Sequence, residues 1–593
     1  MMREGVRLIG APAYIVRIRR QVRRSGTGLP GSHYRCHLRN RSLADMRRHP
    51  ARVRGAALRL EILLRTERAF SRLAPRRKLS VFLTGVLALA LRAAILPLVP
   101  IPEPGVHDEF SYLLGGETFA SGRLTNPTHP LSEHFESFQI LSKPSYTTKY
   151  PPAQSIVLAA GIKLGHPWIG VYLSVALLCS AICWMLQAWV PPGWALLGGL
   201  LAILRFGLFS YWINSYWGGA VAALGGALLA GALPRVLRAP RFPHVMLLAA
   251  GILILANSRP YEGLVFAMPA AILLLGRIAA ARGPQLRMYA VRLLLPLSML
   301  LVIAAAAMMF YFWRVTGNPL QMPYEAYSKQ YVIAPALIFQ SPRPEPVYRT
   351  AEFRKFHQWE LSRYQQARAS FLSYGIADKL RTLWITYIGP AFTIFLIAFP
   401  MVVRSRKRRF LVITLACLIA ALLCEVWRFP HYSAPVTGII FALLIDCMRR
   451  LRLLRWHGAP TGAFLVRSAV FISLLMVGVR LITIAVALPL NKQVSSMCIP
   501  SQHYTTTRAA IETQLTQIGG PHLIIVRYGP EHNVHDEWVY NHANIDEAQI
   551  VWARELDPVS NRHLLRYFKG RHAWLLEPDK PEPVLAPYPS AGR

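Results

Sequence analysis

Eleven apolar runs punctuate the chain, at residues 80–100, 168–190, 194–212, 220–233, 245–257, 264–275, 293–313, 383–403, 410–427, 433–447 and 464–488. Such runs predict helices that cross a bilayer, which takes ~20 apolar residues per crossing. The arms 245–257 and 264–275 are short, which predicts a turn at 258–263 lying inside the outer leaflet, against protein or a wet cavity. The apolar stretch 151–164 is also short and predicts an interfacial helix. Arg and Lys gather between alternate runs: Arg76-Arg77-Lys78, then Arg235, Arg238 and Arg241, then 404–409, then Arg449, Arg450, Arg452 and Arg455. Positive blocks mark cytoplasmic loops, so the N-terminus is expected inside and the C-terminus outside.

The pattern divides the chain into three parts. Residues 1–77 form a basic cytoplasmic arm, expected to be partly disordered, within which Met46 is an alternative start. Residues 78–490 form the membrane domain, with external loops at 101–150 and 314–382. Beyond 490 the composition turns polar. Short apolar runs at 523–526, 549–552 and 573–576 alternate with helical patterns at 507–518 and 560–568. The fold expected is an all-α polytopic membrane protein of about eleven transmembrane helices with a small extracytoplasmic α/β C-terminal domain.

Composition changes this picture little. Of 593 residues 53% are hydrophobic and 16% charged, below the ~25% charged typical of soluble domains. The formal net charge of +38 would suggest nucleic acid in a soluble protein. Here it sits in the inner loops, so no nucleic-acid partner is expected. Five of the seven cysteines (Cys179, Cys183, Cys417, Cys424, Cys447) lie in apolar runs, Cys36 in the arm and Cys498 outside. That scatter argues against a disulfide framework or a thiolate metal site.

Candidate chemistry collects at one level, the outer ends of the helices. His107, Asp108 and Glu109 follow the first run. Asp108 has the makings of a general base, which needs a partly desolvated carboxylate. It equally suits a helix cap. His107 reads as a metal ligand, an orienting group or, as a lone His more often is, neither. Lys149 and Tyr150 end the first loop, where the Lys either contacts a phosphate or snorkels. Arg259 and Glu262 stand three apart in the short outer hairpin, as a structural pair or a phosphate site. Arg428, His431 and Tyr432 occupy the turn between the ninth and tenth runs, with Glu425 as the expected partner of Arg428. Arg205 falls inside a run and is expected to face the bundle interior. His532, His535 and Asp536 are read as a polar loop ahead of a metal site, and Trp538, Tyr540 and Trp552 as a sugar-stacking surface or a core.

The acidic pair in the first loop, the Lys-x-Pro-Pro at 149–152, the Arg-Pro hairpin at 259–260 and the His-Tyr turn at 431–432 resemble the GT-C glycosyltransferases. The similarity is to the lipid-A aminoarabinose transferase and protein O-mannosyltransferase type, and it spans 78–490. It implies a bacterial inner-membrane enzyme that takes a sugar from a polyprenyl-phosphate donor to a lipid, glycan or protein acceptor. It also implies Asp108 as base with Glu109 beside it, and Lys149 and Arg259 on the lipid phosphate. Some relatives bind a divalent metal near this loop, and no ligand set stands out here. The absence of a Gly-rich phosphate loop and of an Asp-x-Asp motif agrees with a lipid-linked donor. The rival from another class is a transporter or flippase of lipid-linked glycans, which should carry charge near the midplane.

Overall fold

The structure is a computed structural model that describes residues 65, 67–486, 503–581, 583 and 585–589. Most of the arm expected at 1–77, including Cys36, and Cys498 with the segment around it, lie outside the described residues. Each of the eleven apolar runs is helical over most of its described residues. The membrane part comprises α1 (Arg77–Ala94), α4 (Pro167–Trp189), α5 (Pro192–Phe206), α6 (Ala220–Arg238), α7 (Phe242–Ala256), α8 (Pro260–Ala279), α9 (Pro284–Thr316), α12 (Phe371–Ile388), α13 (Pro390–Val403), α14 (Arg409–Cys424), α15 (Thr437–Leu451) and α16 (Thr461–Ala485).

Eleven full crossings do not follow. Among the described residues five helices are long and apolar enough to cross, and six if the bent pair α12–α13 is one span. The other five have 15 to 18 residues, short of the ~20 a full crossing takes. The bend of 88° in α12–α13 falls at Gly389, whose φ of 66° suits glycine, followed by Pro390, which cannot continue the ladder.

The bundle core is built from α4, α6 and α15, where Ile182, Met185, Leu229, Ile439 and Ile445 are fully buried in one cluster. By contrast Val302, Phe310, Phe464 and Phe471 on α9 and α16 are exposed. A helix that is apolar on its open face suits lipid. Arg205 sits in the last turn of α5, not in mid-span, and its Nε donates to the Thr386 carbonyl (2.5 Å). At the inner end Asp446 is fully buried and receives Arg408, Arg449 and Arg450. The sequence reading had assigned only positive charge to that level.

The segment 101–163 between α1 and α4 is ordered. It comprises α2 (His107–Ala120), the strands β1 (Asn126–Pro127), β2 (Ile140–Leu141) and β3 (Ser145–Thr148), and α3 (Pro152–Lys163). Helix α3 packs between α2 and α4 rather than lying free at an interface. Gly115 allows this approach, since a Cβ there would stand 2.4 Å from Ser155 Oγ. The second external segment contributes α10 (Pro323–Tyr331) and α11 (Ala351–Ala369).

Residues 503–589 hold α17 (His503–Ile518), β4 (His522–Val526), β5 (Ile550–Arg554), α18 (Pro558–Tyr567), β6 (His572–Leu576) and β7 (Leu585–Pro587). The sheet runs β5-β4-β6-β7, parallel except for β7. Alternation along β4 points Ile524 and Val526 at Leu515 of α17, while Leu523 and Ile525 face the other way. That second face is covered by Phe110, Leu114, Phe135, Ile140 and Tyr146 of the first loop. The sheet and the loop therefore share one core.

Candidate active site

Helix α2 begins where the chain leaves α1, and its first turn sets two adjacent carboxylates to different tasks. Glu109 is 2% exposed and fully engaged by backbone. Its Oε2 accepts the amides of Gly105 (2.7 Å) and Val106 (3.1 Å), and its Oε1 accepts that of Tyr216 (2.7 Å). It closes the helix N-terminus in capping-box fashion and ties it to the aromatic turn before α6. Burial pushes its carboxyl up to about 7, against those three amides.

Asp108 points elsewhere. It is half-buried, and its Oδ1 accepts the hydroxyl of Tyr150. Burial raises its pKa, opposed by that hydrogen bond and by the charges of Lys149 and Arg259. Lys149 follows β3 and is 5% exposed, with its ammonium over the rings of Tyr327 (4.6 Å), Tyr324 (4.8 Å) and Tyr150 (5.2 Å). Burial lowers the Lys149 pKa, and the fields of Glu360 and Asp108 oppose it. Three ring faces hold the cation while leaving its donors open to an oxygen ligand.

The outer hairpin arrives by a backbone bond. The Ala153 amide at the start of α3 donates to the Asn257 carbonyl (2.9 Å), so the 257–260 turn is fixed beside the Lys149 end of the loop. Arg259, 15% exposed at its side chain, lies over the ring of Tyr432 (4.4 Å) and faces Glu262 at 3.8 Å. Behind it Glu262 and Glu425 are both 4% exposed, with Oε1 of the first and both oxygens of the second lacking hydrogen bonds. The turn carrying His431 and Tyr432 rests on Gly226, where a Cβ would stand 1.9 Å from the Pro435 carbonyl oxygen.

Asp108, Lys149, Tyr150, Arg259, Glu262 and Tyr432 thus meet in one electrostatic cluster. His431 flanks it, fully buried, bonded to the Tyr211 hydroxyl (3.0 Å) and against Trp217. Arg428 turns away. It pairs with Asp378 and covers the ring of Tyr374, so Glu425 is not its partner. Asp378 lies in α12, close enough to take a side chain that the sequence left beside Glu425. Sequence reasoning missed Tyr112, Tyr324, Tyr327 and Glu360. Tyr112 stands four residues after Asp108, on the same face of α2, a spacing that marks it. The other three come from α10 and α11, and only long-range packing brings them in.

The surroundings of His107 do not make a metal site. Its Nδ1 is bonded to the Tyr540 hydroxyl (2.6 Å) and its ring lies among Phe138 and Phe356. Among the described residues no three His, Cys, Asp or Glu side chains gather as metal ligands. His532 is bonded to Asp579 (2.8 Å) while His535 packs on Trp359, so the terminal histidines diverge. Trp538 and Trp552 are buried in the sheet's core.

No family model and no curated protein matches the chain. Among solved structures it is similar to ArnT from Cupriavidus metallidurans in the apo state, with a TM-score of 0.44 and 14% identity over 83% of this chain and 92% of that one. It is similar to the same protein bound to undecaprenyl phosphate, with a TM-score of 0.43, 14% identity and the same two coverages. A third likeness is to the Archaeoglobus fulgidus oligosaccharyltransferase in complex with Zn and sulfate, with a TM-score of 0.43 and 11% identity over 84% of this chain and 67% of that one. Likenesses this distant fix neither family nor activity, and the functional reading stands on the side chains.

Proposed function

We propose that the protein is an integral-membrane glycosyltransferase of a bacterial inner membrane. It would move a sugar from a polyprenyl-phosphate donor to an acceptor hydroxyl on the extracytoplasmic face. The observation that carries this reading is a half-buried carboxylate, Asp108, bonded to Tyr150 and lying within the fields of two tyrosine-lined cations, Lys149 and Arg259. A phosphate at a lipid surface needs such cations, and an incoming hydroxyl needs such a carboxylate.

The chemistry is a single displacement. Asp108 takes the proton of the acceptor hydroxyl as its oxygen bonds to the anomeric carbon. The bond from that carbon to the phosphate oxygen breaks, and the electron pair leaves with the polyprenyl phosphate, which gains one negative charge. Lys149 and Arg259 stabilise that charge as it develops. One carboxylate and one displacement invert the anomeric centre. Tyr150 occupies Oδ1 of Asp108 and leaves Oδ2 for the acceptor. Glu109, committed to three amides, supports the turn and takes no proton in this scheme. No step runs through a metal.

The test is purified full-length protein in detergent, offered an array of polyprenyl-phosphate sugars with release of polyprenyl phosphate as the readout. The reading expects release from at least one donor that depends on Asp108. Movement of intact donors across vesicles without release would favour a transporter instead.

A further inference from the structure

The C-terminal sheet is joined to the site by contacts that a separate accessory domain would not need. Tyr540 lies in the loop between β4 and β5, 3% exposed. Its hydroxyl is bonded to Nδ1 of His107, 5% exposed, which opens α2 immediately before Asp108. Its ring stacks on Phe110, two residues after Asp108, with centroids 4.0 Å apart and planes 4° from parallel. One side chain therefore grips the first turn of α2 on both sides of the candidate base.

Tyr540 is itself held. The guanidinium of Arg508, from α17, donates to the carbonyls of Tyr540 (3.0 Å) and Trp538 (3.3 Å). Further along, Glu117 of α2 accepts from the amide of Ala543 (2.9 Å) and lies 2.8 Å from His542 Nδ1. The loop is thus fixed to the sheet at one end and to the far turn of α2 at the other.

We infer that the C-terminal domain is a working part of the site, and that Tyr540 is the positioning residue through which it holds Asp108 in place. The inference rests on the functional reading above only for its kinetic consequence. A carboxylate that must meet both an acceptor hydroxyl and a developing phosphate charge tolerates little misplacement, since an ångström of drift can cost on the order of a hundredfold in rate. Tyr150 holds Asp108 from one side. Tyr540, by pinning His107 and Phe110, holds the backbone from which Asp108 projects. A hydroxyl bonded to a buried imidazole is directional, whereas the stack alone permits sliding.

The test uses the full-length protein with Tyr540→Phe, which keeps the ring on Phe110 and removes only the hydroxyl. The first readout needs no activity: the rate at which a water-soluble carbodiimide and an amine modify Asp108, read by peptide mass. The inference expects severalfold faster modification of Asp108 with no change at Asp378. The second readout is polyprenyl-phosphate release, where kcat should fall by roughly tenfold while the donor KM holds, because Lys149 and Arg259 are untouched. His107→Phe, which keeps a flat ring in the same aromatic box, should reproduce both effects. The double variant should be no worse than either single one, since both remove one bond. Unchanged Asp108 modification in a folded Tyr540→Phe protein would overturn the inference, as would additive effects of the two changes. If the wild type releases nothing from any donor, the functional reading falls, and the modification rates still decide the role of Tyr540.

Discussion

Asp108 and Glu109 are neighbours of the same charge type, and in the sequence only the resemblance to a known family tells them apart. The structure separates them by direction, one into the cluster and one onto backbone amides. Helical geometry places adjacent side chains about 100° apart, so adjacency in sequence guarantees different surroundings. The consequence is testable through pH. Glu109 ordinarily titrates near 4.5 and is pushed up to about 7 by burial. Between those values the folded protein keeps a proton that the unfolded chain has released, so Glu109 weakens the fold as pH rises across that window. Melting temperatures of wild type and Glu109→Gln, taken from pH 4.5 to 7, should show the wild type losing ground to the variant. A constant difference would contradict the burial argument. Lys149 and Arg259 make a second prediction. Their alanine variants should each bind a polyprenyl phosphate more weakly by the ~1.5–3 kcal/mol of a charged hydrogen bond, roughly tenfold to a hundredfold, with the protein still folded. Equilibrium binding on purified protein reads this directly, and unchanged affinity in both variants would remove them from the phosphate site.

Among the elements, the apolar helices were legible because a long hydrophobic run has few structured alternatives. Their lengths were less so. The helix α14 stops at Cys424, and the run that suggested a span to 427 continues as an irregular turn carrying Glu425. The short apolar runs of the C-terminal region lie on β4, β5 and β6. Hidden from any single-sequence pattern was the partner of their second face, because Phe110, Phe135 and Ile140 lie some four hundred positions earlier in the chain. The Lys149 cage was hidden for the same reason, with Tyr324 and Tyr327 arriving from α10. Gly226 offers a test at this scale. A Cβ there meets the Pro435 backbone rather than a side chain that can yield, so Gly226→Val should displace the 430–436 turn. The expected cost is ~1–3 kcal/mol of stability, together with weaker polyprenyl-phosphate binding through Tyr432 and Arg259. A Val variant with wild-type melting and affinity would show that the turn is not held there.

In the whole molecule an apolar bundle, the segments 101–163 and 323–369 and a terminal sheet meet around one cluster of charges. The sequence displayed the ionisable residues of that cluster as separate outer turns, and four of the turns did carry them. It did not display which would converge. Arg428 left the group for Asp378, which α12 brings within reach of its guanidinium. The central claim is that this cluster transfers a sugar with Asp108 as the base. The most direct measurement is polyprenyl-phosphate release by full-length wild type and Asp108→Asn, with polyprenyl-phosphate binding measured on the same preparations. Asn keeps the shape of Asp but cannot take a proton, and the helix N-terminus is closed by Glu109 in either case. The account predicts turnover lower by roughly 10²–10⁴-fold, the usual loss of a general base, with lipid binding and melting nearly unchanged. Near-normal release by Asp108→Asn, or activity lost only together with the fold, would contradict it.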